Sequence, residues 1–333
     1  MRHRVFITQP IAPSALERLQ RTAEVEWNRN ALHIMTRDEL TAAVRSRDVL
    51  FCLLPDRVDA KMIDESPSLR MIATMKITPS DVDVAAATAR RIPVTVVPPI
   101  VTEATADLHF ALLLAVARRV VEGDRLVRAG IFPGAQSMHL MGAGVWEKTI
   151  GLIGGGGRIG RAVARRARGF SMRMLYSAPR RIPEADERAL DLEHVPLDRL
   201  LAESDFVSVH APLRPETVHL VGARELALMK PSAFLINSAR GPIVDERALV
   251  EALREGRIAG AALDVFEREP EVDEALLGMP NVVLTPHLGS AVVEAREAMA
   301  NIVVDNIVAF IEGRRPPNCW NPEIYSDRVS ENR

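Results

Sequence analysis

The sequence predicts an α/β protein with two doubly wound parallel-sheet domains and a cleft between them. Apolar runs of four to six residues alternate with helical patterns along most of the chain, as in parallel sheets covered by helices. The run "GGGGRIG" stands between one apolar run and one helical pattern, where α/β proteins place phosphate-holding turns. With 333 residues, 47% of them hydrophobic, the chain can form about two domains.

The first hundred residues predict one α/β layer structure without a glycine fingerprint. Its strands are expected in "RVFIT", "AEVEW", "VLFCLL", "LRMIAT" and "IPVTVV". Its helices are expected in "APSALERLQR", "TRDELTAAVR", "DAKMIDESP" and residues 83–90. Because strands and helices alternate, we expect the strands to run parallel.

The rest of the chain predicts a second α/β unit and a helix that returns to the first. Residues 101–130 are expected to form one long helix, capped by Thr102 or Thr105, and a turn-rich region follows to residue 147. Strands are expected in "TIGLI", "MRMLYSA", "DFVSVHAP", "AFLINSA", "AGAALDVF" and "VVLTPH". After Gly289 an amphipathic helix runs to Gly313. The predicted domains are 1–101 with 290–333, and 102–289.

The glycine-rich run fits the dinucleotide fingerprint G-x-G-x-x-G in only one register. A start at Gly154 would put the branched Ile159 at the third glycine position, where helix and strand must pack closely. A start at Gly155 places Gly157 and Gly160 correctly and leaves Gly154 as an extra glycine at the strand end. A glycine-rich surface loop is the alternative, but the flanking strand and helix patterns favour a Rossmann-like nucleotide site.

Composition excludes several other classes of function. The net charge of −2 gives no basic surface for nucleic acid, and the apolar run "ALLLAVA" is too short to span a bilayer. Two cysteines, Cys52 and Cys319, are too few for a disulfide framework, and no metal-ligand spacing is present. The polar start "MRHRVFITQP" is unlike a secretory signal. We expect a cytoplasmic protein that binds neither nucleic acid, membrane nor metal.

Several long segments resemble the D-isomer-specific 2-hydroxyacid dehydrogenases, and most closely their glyoxylate/hydroxypyruvate reductase branch. They are "ATADLHFALLLAVAR", the fingerprint, "SDFVSVHAPLRPETVHLV", "MKPSAFLINSARGPIVDERALVEALREGRIAGAALDVFEREP" and "NVVLTPHLGSA". The resemblance covers nearly the whole chain. It implies two Rossmann-like domains, a nicotinamide cofactor, a homodimer and reversible reduction of a 2-oxo acid to a D-2-hydroxy acid.

By this resemblance, three residues carry the chemistry. Arg240 in "NSARGP" would be the cation that holds the substrate carboxylate and polarises its carbonyl. His287 in "LTPHLG" would donate the proton, and Glu269 in "FEREP" would favour its charged imidazolium. Glu269 is chosen over Glu267 because of the family's "EP" pair. A surface arginine, a structural histidine and a solvated acidic turn are the simpler interpretations.

The resemblance also implies a set of cofactor-binding residues along the second unit. They are Thr105, Gly155, Gly157, Arg158, Ile159, Gly160, Ser177, Arg180, Arg181, His210, Pro212, Thr217, Ser238, Ala239, Arg240, Asp264, His287 and Gly289. Among them, Asp264 is expected to face the nicotinamide ring and accept a bond from its carboxamide.

The end of the second strand of the fingerprint unit predicts a preference for NADP(H), with NAD(H) possible. An acidic residue at this place binds a free ribose 2′-hydroxyl and repels a 2′-phosphate, but here the position is Ala178. Ser177, Arg180 and Arg181 can donate to a phosphate. If both arginines instead point to solvent, the protein would accept either cofactor.

The expected substrate loop departs from the family pattern. Lys76 adds a charge, Ile77 replaces a valine, Thr78 replaces a glycine, and Pro79 removes an N–H donor. Lys76, Ile77 and Thr78 are expected to contact substrate together with Arg240 and His287. Lys76 is either solvated or binds a second anionic group of the substrate, such as a phosphonate.

Two features leave the activity open at this stage. His139 is a further candidate cation, in a segment that lies near the partner subunit's pocket in family dimers. Phosphite-oxidising relatives carry a lysine one position after Lys76, so that activity is a weaker alternative. A catalytically silent, nicotinamide-sensing binding protein of the same fold is the other alternative.

Overall fold

The computed structural model describes the backbone of residues 2–329 and the side chains of residues 2–326. The chain divides into two compact units, Met1–Ile100 with Ala291–Arg333, and Val101–Ser290. These boundaries lie one residue from those expected from the sequence.

Unit 1 is built on a five-stranded parallel sheet. The strands are β1 (Arg4–Ile7), β2 (Glu24–Trp27), β3 (Val49–Cys52), β4 (Met71–Thr74) and β5 (Val94–Thr95), in the order β2-β1-β3-β4-β5. The helices that alternate with them are α1 (Pro13–Thr22), α2 (Arg37–Val44), α3 (Ala60–Asp64) and α4 (Val84–Ala89). β3 and β4 are buried at every position, which explains why their sequences are continuous apolar runs. The Thr36–Glu39 capping box begins α2.

Unit 2 is built on a seven-stranded parallel sheet. The strands are β6 (Thr149–Ile153), β7 (Arg173–Ser177), β8 (Leu192–His194), β9 (Phe206–Val209), β10 (Phe234–Asn237), β11 (Gly260–Leu263) and β12 (Val282–Leu284), in the order β12-β11-β10-β9-β6-β7-β8. The helices are α5 (Thr102–Ala117), α6 (Val120–Arg128), α7 (Arg158–Arg168), α8 (Glu184–Leu190), α9 (Leu197–Glu203), α10 (Ala223–Leu228), α11 (Glu246–Arg254) and α12 (Glu274–Leu277). The parallel α/β prediction is confirmed for both units.

The final helix, α13 (Val293–Ile311), belongs to unit 1 and packs on α1 and β4. Its inward face buries side chains such as Val303, Val304 and Ile307. Each such side chain contributes about 1.5–3 kcal/mol by leaving water. The C-terminal segment of the chain therefore completes the core that the first hundred residues begin.

Two sequence expectations for unit 2 were wrong. The single helix expected over 101–130 is two helices, because Arg119 adopts a left-handed φ of 53° between α5 and α6. The last turn of α5 ends where the Ala143 N–H donates to the Ala117 carbonyl. The edge strand β8 was missed, since its three residues, "LEH", show no apolar run.

Candidate active site

The fingerprint turn between β6 and α7 requires glycine for close packing at two of the three positions that the sequence register selects, Gly155 and Gly160. A Cβ on Gly160 would lie 2.6 Å from the Gly155 Cα, so only glycine lets the helix pack this close to the turn. Gly157 is the N-cap residue of α7 and has no tight neighbour. Gly155 and Gly160 thus pack together while Gly157 stays open towards a ligand.

The extra glycine, Gly154, is required for a different reason. Its φ is +79°, a conformation that L side chains rarely adopt. A Cβ there would also lie 2.7 Å from the backbone nitrogen of Ala211, just after β9. The fourth glycine therefore lets the end of β6 pass closely beside the end of β9.

The N-terminus of α7 fits a pyrophosphate. No side chain caps this eleven-residue helix, so its first N–H groups are available to an anion. Arg158, the first helical residue, is exposed and has no ion pair within the described side chains. Together with the open Gly157, these features make a cradle that suits a dinucleotide phosphate.

The two arginines after β7, both expected to bind a 2′-phosphate, differ in their partners within the protein. Arg181 makes a bidentate ion pair with Glu187, at 2.6 Å between Nη2 and Oε2, and this pair together with the Tyr176 hydroxyl lowers the pKa of Glu187 to about 2. Binding of a 2′-phosphate by Arg181 stays a prediction, and its guanidinium already holds the Glu187 carboxylate. Arg180 is exposed and makes no ion pair within the described residues, and Ser177 ends the strand beside it.

Arg240 follows β10 in a turn that the Asn237 side chain holds. The Asn237 amide accepts from the Ala239 N–H and donates to the Arg240 carbonyl, both at 3.0 Å. A Cβ on Gly241 would lie 1.8 Å from the Phe266 carbonyl oxygen, so glycine is needed for this turn to approach the segment after β11. The Arg240 side chain is exposed, and its one hydrogen bond within the described residues is to the neighbouring Ala239 carbonyl.

Glu269 and His287 form a direct pair. The distance between Glu269 Oε2 and His287 Nδ1 is 2.8 Å, and the Phe266 N–H donates to Glu269 Oε1 at 3.0 Å. Burial alone would raise the pKa of Glu269, but the bond to His287 and the nearby charges, including that of Arg240, lower it below its ordinary value. Nε2 of His287 makes no hydrogen bond within the part of the chain that the structure describes, so it is available to a ligand.

The structure also distinguishes Glu269 from its neighbour Glu267. Glu267 Oε1 lies 2.8 Å from Nε2 of His219, and its other oxygen accepts from the Glu246 N–H. The two acids of "FEREP" thus hold two different histidines, and only Glu269 reaches His287.

Asp264 holds the loop that carries His287. Its fully buried carboxylate accepts from the Thr285 hydroxyl and the Leu288 N–H at one oxygen and from the Gly289 N–H at the other. Burial raises the pKa of Asp264 above its ordinary value. Three of its acceptor positions thus serve this loop, and a contact with a nicotinamide stays a prediction.

A chain of buried polar side chains connects β9 and β10 to α5, and we call it the His–Ser chain: Ser238, His109, Ser208 and His210. Ser238 Oγ lies 2.8 Å from His109 Nδ1, and Ser208 Oγ lies 2.6 Å from Nε2 of both His109 and His210. Sequence reasoning selected Ser238 and His210 but missed His109 and Ser208. A histidine inside the apolar run of "ADLHFALLL" was the available signal, since a buried polar side chain needs a partner.

Comparison with known proteins decides the family. The model of the D-isomer specific 2-hydroxyacid dehydrogenase NAD-binding domain matches residues 110–289. A glyoxylate reductase from Thermococcus litoralis is 45% identical over 330 residues, covering 98% of this chain and 99% of that protein. The chain belongs to the D-isomer-specific 2-hydroxyacid dehydrogenase family.

Solved structures of similar proteins agree with the observed fold. A protein from Thermus thermophilus is 44% identical with a TM-score of 0.88, covering 95% of this chain and 99% of that one. An NADPH-dependent glyoxylate/hydroxypyruvate reductase from Sinorhizobium meliloti, solved in complex with NADP and malonate, is 34% identical with a TM-score of 0.75, covering 96% and 97%. The NAD-binding domain of the family indicates a nicotinamide cofactor for this chain as well.

In this 2-hydroxyacid dehydrogenase, two further expected cofactor residues have internal partners. The Thr105 hydroxyl lies 3.0 Å from the Gly289 carbonyl and also contacts the Val101 carbonyl. The Thr217 hydroxyl lies 2.7 Å from the Pro212 carbonyl. A hydroxyl has one proton and two acceptor lone pairs, so each of these residues holds a loop with its proton and keeps only its acceptor positions for a cofactor; their cofactor-binding roles stay predictions.

Lys76 is not solvated, so that sequence interpretation was wrong, and its contact with a substrate anion stays a prediction. It is buried within unit 1, where Nζ lies 2.6 Å from Asp81 Oδ2 and 3.1 Å from the Asp56 carbonyl. Asp81 holds the lysine from the same loop, and Asp56 holds it from the loop after β3. The sequence did not indicate this pair. Lysine is rarely buried without a partner, and the partner here lies on a turn whose geometry the sequence does not give.

The remainder of the expected substrate loop is open. The N–H groups of Ile77 and Thr78 donate to no acceptor within the described residues. Eight non-glycine residues of the described chain have positive φ, and Thr78 is not among them, so the loop does not need the family's glycine here. Lys76 thus braces a loop whose following N–H groups face no partner in the described structure.

The described part of this dehydrogenase contains neither a metal-binding cluster nor a membrane-spanning helix. No group of three or more His, Cys, Asp or Glu side chains there is arranged to bind a metal ion. None of the helices formed by these residues has an apolar stretch of the length that a bilayer crossing requires.

Proposed function

We propose that this protein reduces a small 2-oxo acid of the glyoxylate or hydroxypyruvate type to a D-2-hydroxy acid, with NADPH as the preferred cofactor. The observation that carries the proposal is the pairing of Glu269 with His287 at 2.8 Å, together with the exposed guanidinium of Arg240, whose charge acts on Glu269. The name of the Thermococcus litoralis relative supports the substrate class.

His287 is proposed as the proton donor. Because Nδ1 is bonded to the Glu269 carboxylate, proton exchange with a ligand takes place at Nε2. The pKa of Glu269 is below its ordinary value, so near neutral pH its carboxylate is charged and can accept a hydrogen bond from Nδ1. In the direction of reduction Nε2 gives its proton to the developing alkoxide, and in the reverse direction it accepts one.

Arg240 is proposed as the substrate cation. Its exposed guanidinium has donors to spare after the bond to Ala239, and its planar fork matches the carboxylate and carbonyl oxygens of a 2-oxo acid. A positive charge at the carbonyl oxygen stabilises the negative charge that develops there in the transition state. The free N–H groups of Ile77 and Thr78 are proposed to hold the carboxylate.

The nicotinamide cofactor supplies the hydride when it is bound. The chain's contribution is to hold its phosphates at Gly157 and the uncapped N-terminus of α7. The proposed NADP preference rests on Ser177, Arg158 and Arg180. Neither arginine is paired with a carboxylate within the described residues, and no acidic residue ends β7.

A homodimer is proposed from the resemblance and from the surface of unit 2. Large apolar side chains are exposed between α6 and β6, and they include Phe132, Met138, Met141 and Trp146. A cluster of this kind on one segment marks a contact surface. Sedimentation of the purified protein measures the number of chains directly.

The test is a panel of 2-oxo acids assayed with NADPH and with NADH, following absorbance of the reduced nicotinamide. We expect glyoxylate and hydroxypyruvate to be reduced, with higher kcat/KM for NADPH. A protein that binds the cofactor but reduces no 2-oxo acid would overturn the proposed activity and leave a nicotinamide-binding role.

Two variants test the preference for NADPH over NADH. Ser177→Asp combined with Arg180→Ala is expected to shift the ratio of kcat/KM values toward NADH by about 10-fold or more, since a charged hydrogen bond contributes about 1.5–3 kcal/mol. Arg181→Ala is the matched control, because its pair with Glu187 makes it structural: stability falls and the ratio stays. An unchanged ratio in the first variant contradicts the assignment.

A further inference from the structure

The His–Ser chain runs without interruption through the interior of unit 2. His109 on α5, Ser208 on β9 and Ser238 after β10 are buried, and the outer end, His210, is half-buried. The three links measure 2.8, 2.6 and 2.6 Å, and the rings of the two histidines lie 4.7 Å apart. The two inner members thus make two hydrogen bonds each: His109 through its two ring nitrogens and Ser208 through its hydroxyl.

Both imidazoles of the chain are neutral near pH 7. Burial, and then the neighbouring His210, lower the pKa of His109 well below its ordinary value. Burial lowers the pKa of His210 to about 3. A neutral imidazole carries one N–H, and a serine hydroxyl carries one O–H. Four groups therefore bring four protons to three hydrogen bonds, so one proton is left over.

The Ser208 hydroxyl has no other acceptor within the described residues, so its proton lies in one of its two bonds of the chain, and only two arrangements remain. In the first, Ser238 donates to His109 Nδ1, His109 Nε2–H donates to Ser208, and Ser208 donates to His210 Nε2. The spare proton is then on Nδ1 of His210. In the second arrangement every bond is reversed, the spare proton is on the Ser238 hydroxyl, and His210 Nδ1 is an acceptor. Since all three bonds reverse together, the state of one end determines the state of the other.

We propose that a bound dinucleotide fixes the His–Ser chain in the first arrangement, so that His210 is a donor and Ser238 an acceptor toward the cofactor. The inference rests on the proposed function. The His210 backbone lies beside the fingerprint turn: a Cβ on Gly154 would be 2.9 Å from the His210 carbonyl carbon, and the His210 N–H donates to the Ile153 carbonyl. Phosphate oxygens only accept hydrogen bonds, so a phosphate there favours a proton on His210 Nδ1.

The consequence reaches Ser238 at the other end of the chain. With its proton committed to His109, the Ser238 oxygen can only accept, and an amide NH2 group, such as that of nicotinamide, is a suitable donor. His109 is a positioning residue in this scheme, since it acts on the cofactor through Ser208 and Ser238. The chain links recognition of the phosphates to the orientation of the carboxamide.

The tautomers of the two histidines test the proposal directly. Protein labelled with ¹⁵N-histidine is examined by NMR with and without NADP, and the two resonances are assigned with His109→Gln and His210→Gln. With NADP bound we expect the proton on Nε2 of His109 and on Nδ1 of His210. The opposite tautomers, or an imidazolium at either position, overturn the proposal.

The outcomes separate this inference from the proposed function. If the wild-type protein binds no nicotinamide nucleotide, the proposed function fails, and the inference fails with it. If it binds NADP and the tautomers are the opposite ones, the inference alone fails.

Breaking the chain in its middle gives an independent measurement. Ser208→Ala removes the two bonds to His109 and His210, and we expect the Kd for NADPH to rise about five- to tenfold and the His210 tautomers to become mixed. Ser204→Ala is the matched control: Ser204 is also fully buried, and its hydroxyl donates to the Leu200 carbonyl outside the chain. An unchanged Kd and a single His210 tautomer in Ser208→Ala would contradict the proposed coupling.

Discussion

Replacing Glu269 with glutamine removes a charge from the proposed proton donor without changing the size of the side chain. Glu269 Oε1 accepts from the Phe266 N–H at 3.0 Å, and a glutamine oxygen can keep that bond. The amide NH2 group then faces His287 Nδ1, where it can only donate. An imidazolium has N–H donors at both nitrogens, so the glutamine disfavours the charged form that gives up a proton.

The expected fall in kcat follows from the solvent exposure of the Glu269 and His287 side chains. A hydrogen bond between charged groups contributes about 1.5–3 kcal/mol. The two side chains are 35% and 36% exposed, so solvent screens the pair and we expect about 1–2 kcal/mol. Since 1.4 kcal/mol corresponds to a factor of ten, kcat for reduction is expected to fall about five- to thirtyfold.

The same substitution has a signature in stability against pH. The folded-state pKa of Glu269 lies below its ordinary value of 4.5, so its contribution to stability is present above that value. The contribution is lost as pH falls through the folded-state pKa. The difference in unfolding free energy between wild type and Glu269→Gln is therefore expected near neutral pH and should disappear on acidification.

The assay is steady-state reduction of glyoxylate at saturating NADPH, with chemical denaturation measured in parallel. Glu267→Gln is the matched control, since Glu267 pairs with His219 at the same 2.8 Å distance but does not contact His287. It is expected to keep the wild-type kcat. Equal kcat values for wild type and Glu269→Gln would refute the assignment of His287 and Glu269.

Two further substitutions follow from the corrected geometry. Gly154→Ala forces a side chain into a left-handed conformation against the Ala211 backbone, so we expect a lower Tm and weaker NADPH binding. Gly156→Ala should cost less stability, because its φ is not left-handed and its Cβ would meet side-chain atoms, of which the γ2 methyl of Ile182 is the nearest, and no backbone. Lys76→Met removes the buried partner of Asp81, which should cost about 1–3 kcal/mol in denaturant unfolding and change kcat/KM for mono- and dianionic 2-oxo acids by the same factor. A loss selective for the dianion would restore the substrate-binding interpretation of the lysine.

The sequence by itself determined the features that depend on local pattern. Apolar runs of strand length identified the parallel strands, since strands buried on both faces must be apolar throughout. The glycine spacing set the register of the fingerprint, since only glycine fits the contact between Gly155 and Gly160. The catalytic candidates came from resemblance, and their roles stay predictions.

Only the tertiary structure decided which partner each polar side chain has. Arg180 and Arg181 are neighbours with the same chemistry, yet Arg181 alone reaches Glu187 on α8. The sequence left Lys76 either solvated or bound to a substrate anion. In the folded chain it lies against Asp81 and the Asp56 carbonyl. Such pairings join residues from separate turns and helices, and hydrogen bonds form only within about 3 Å. The spacing of residues along a chain does not set those distances; the packing of the elements does.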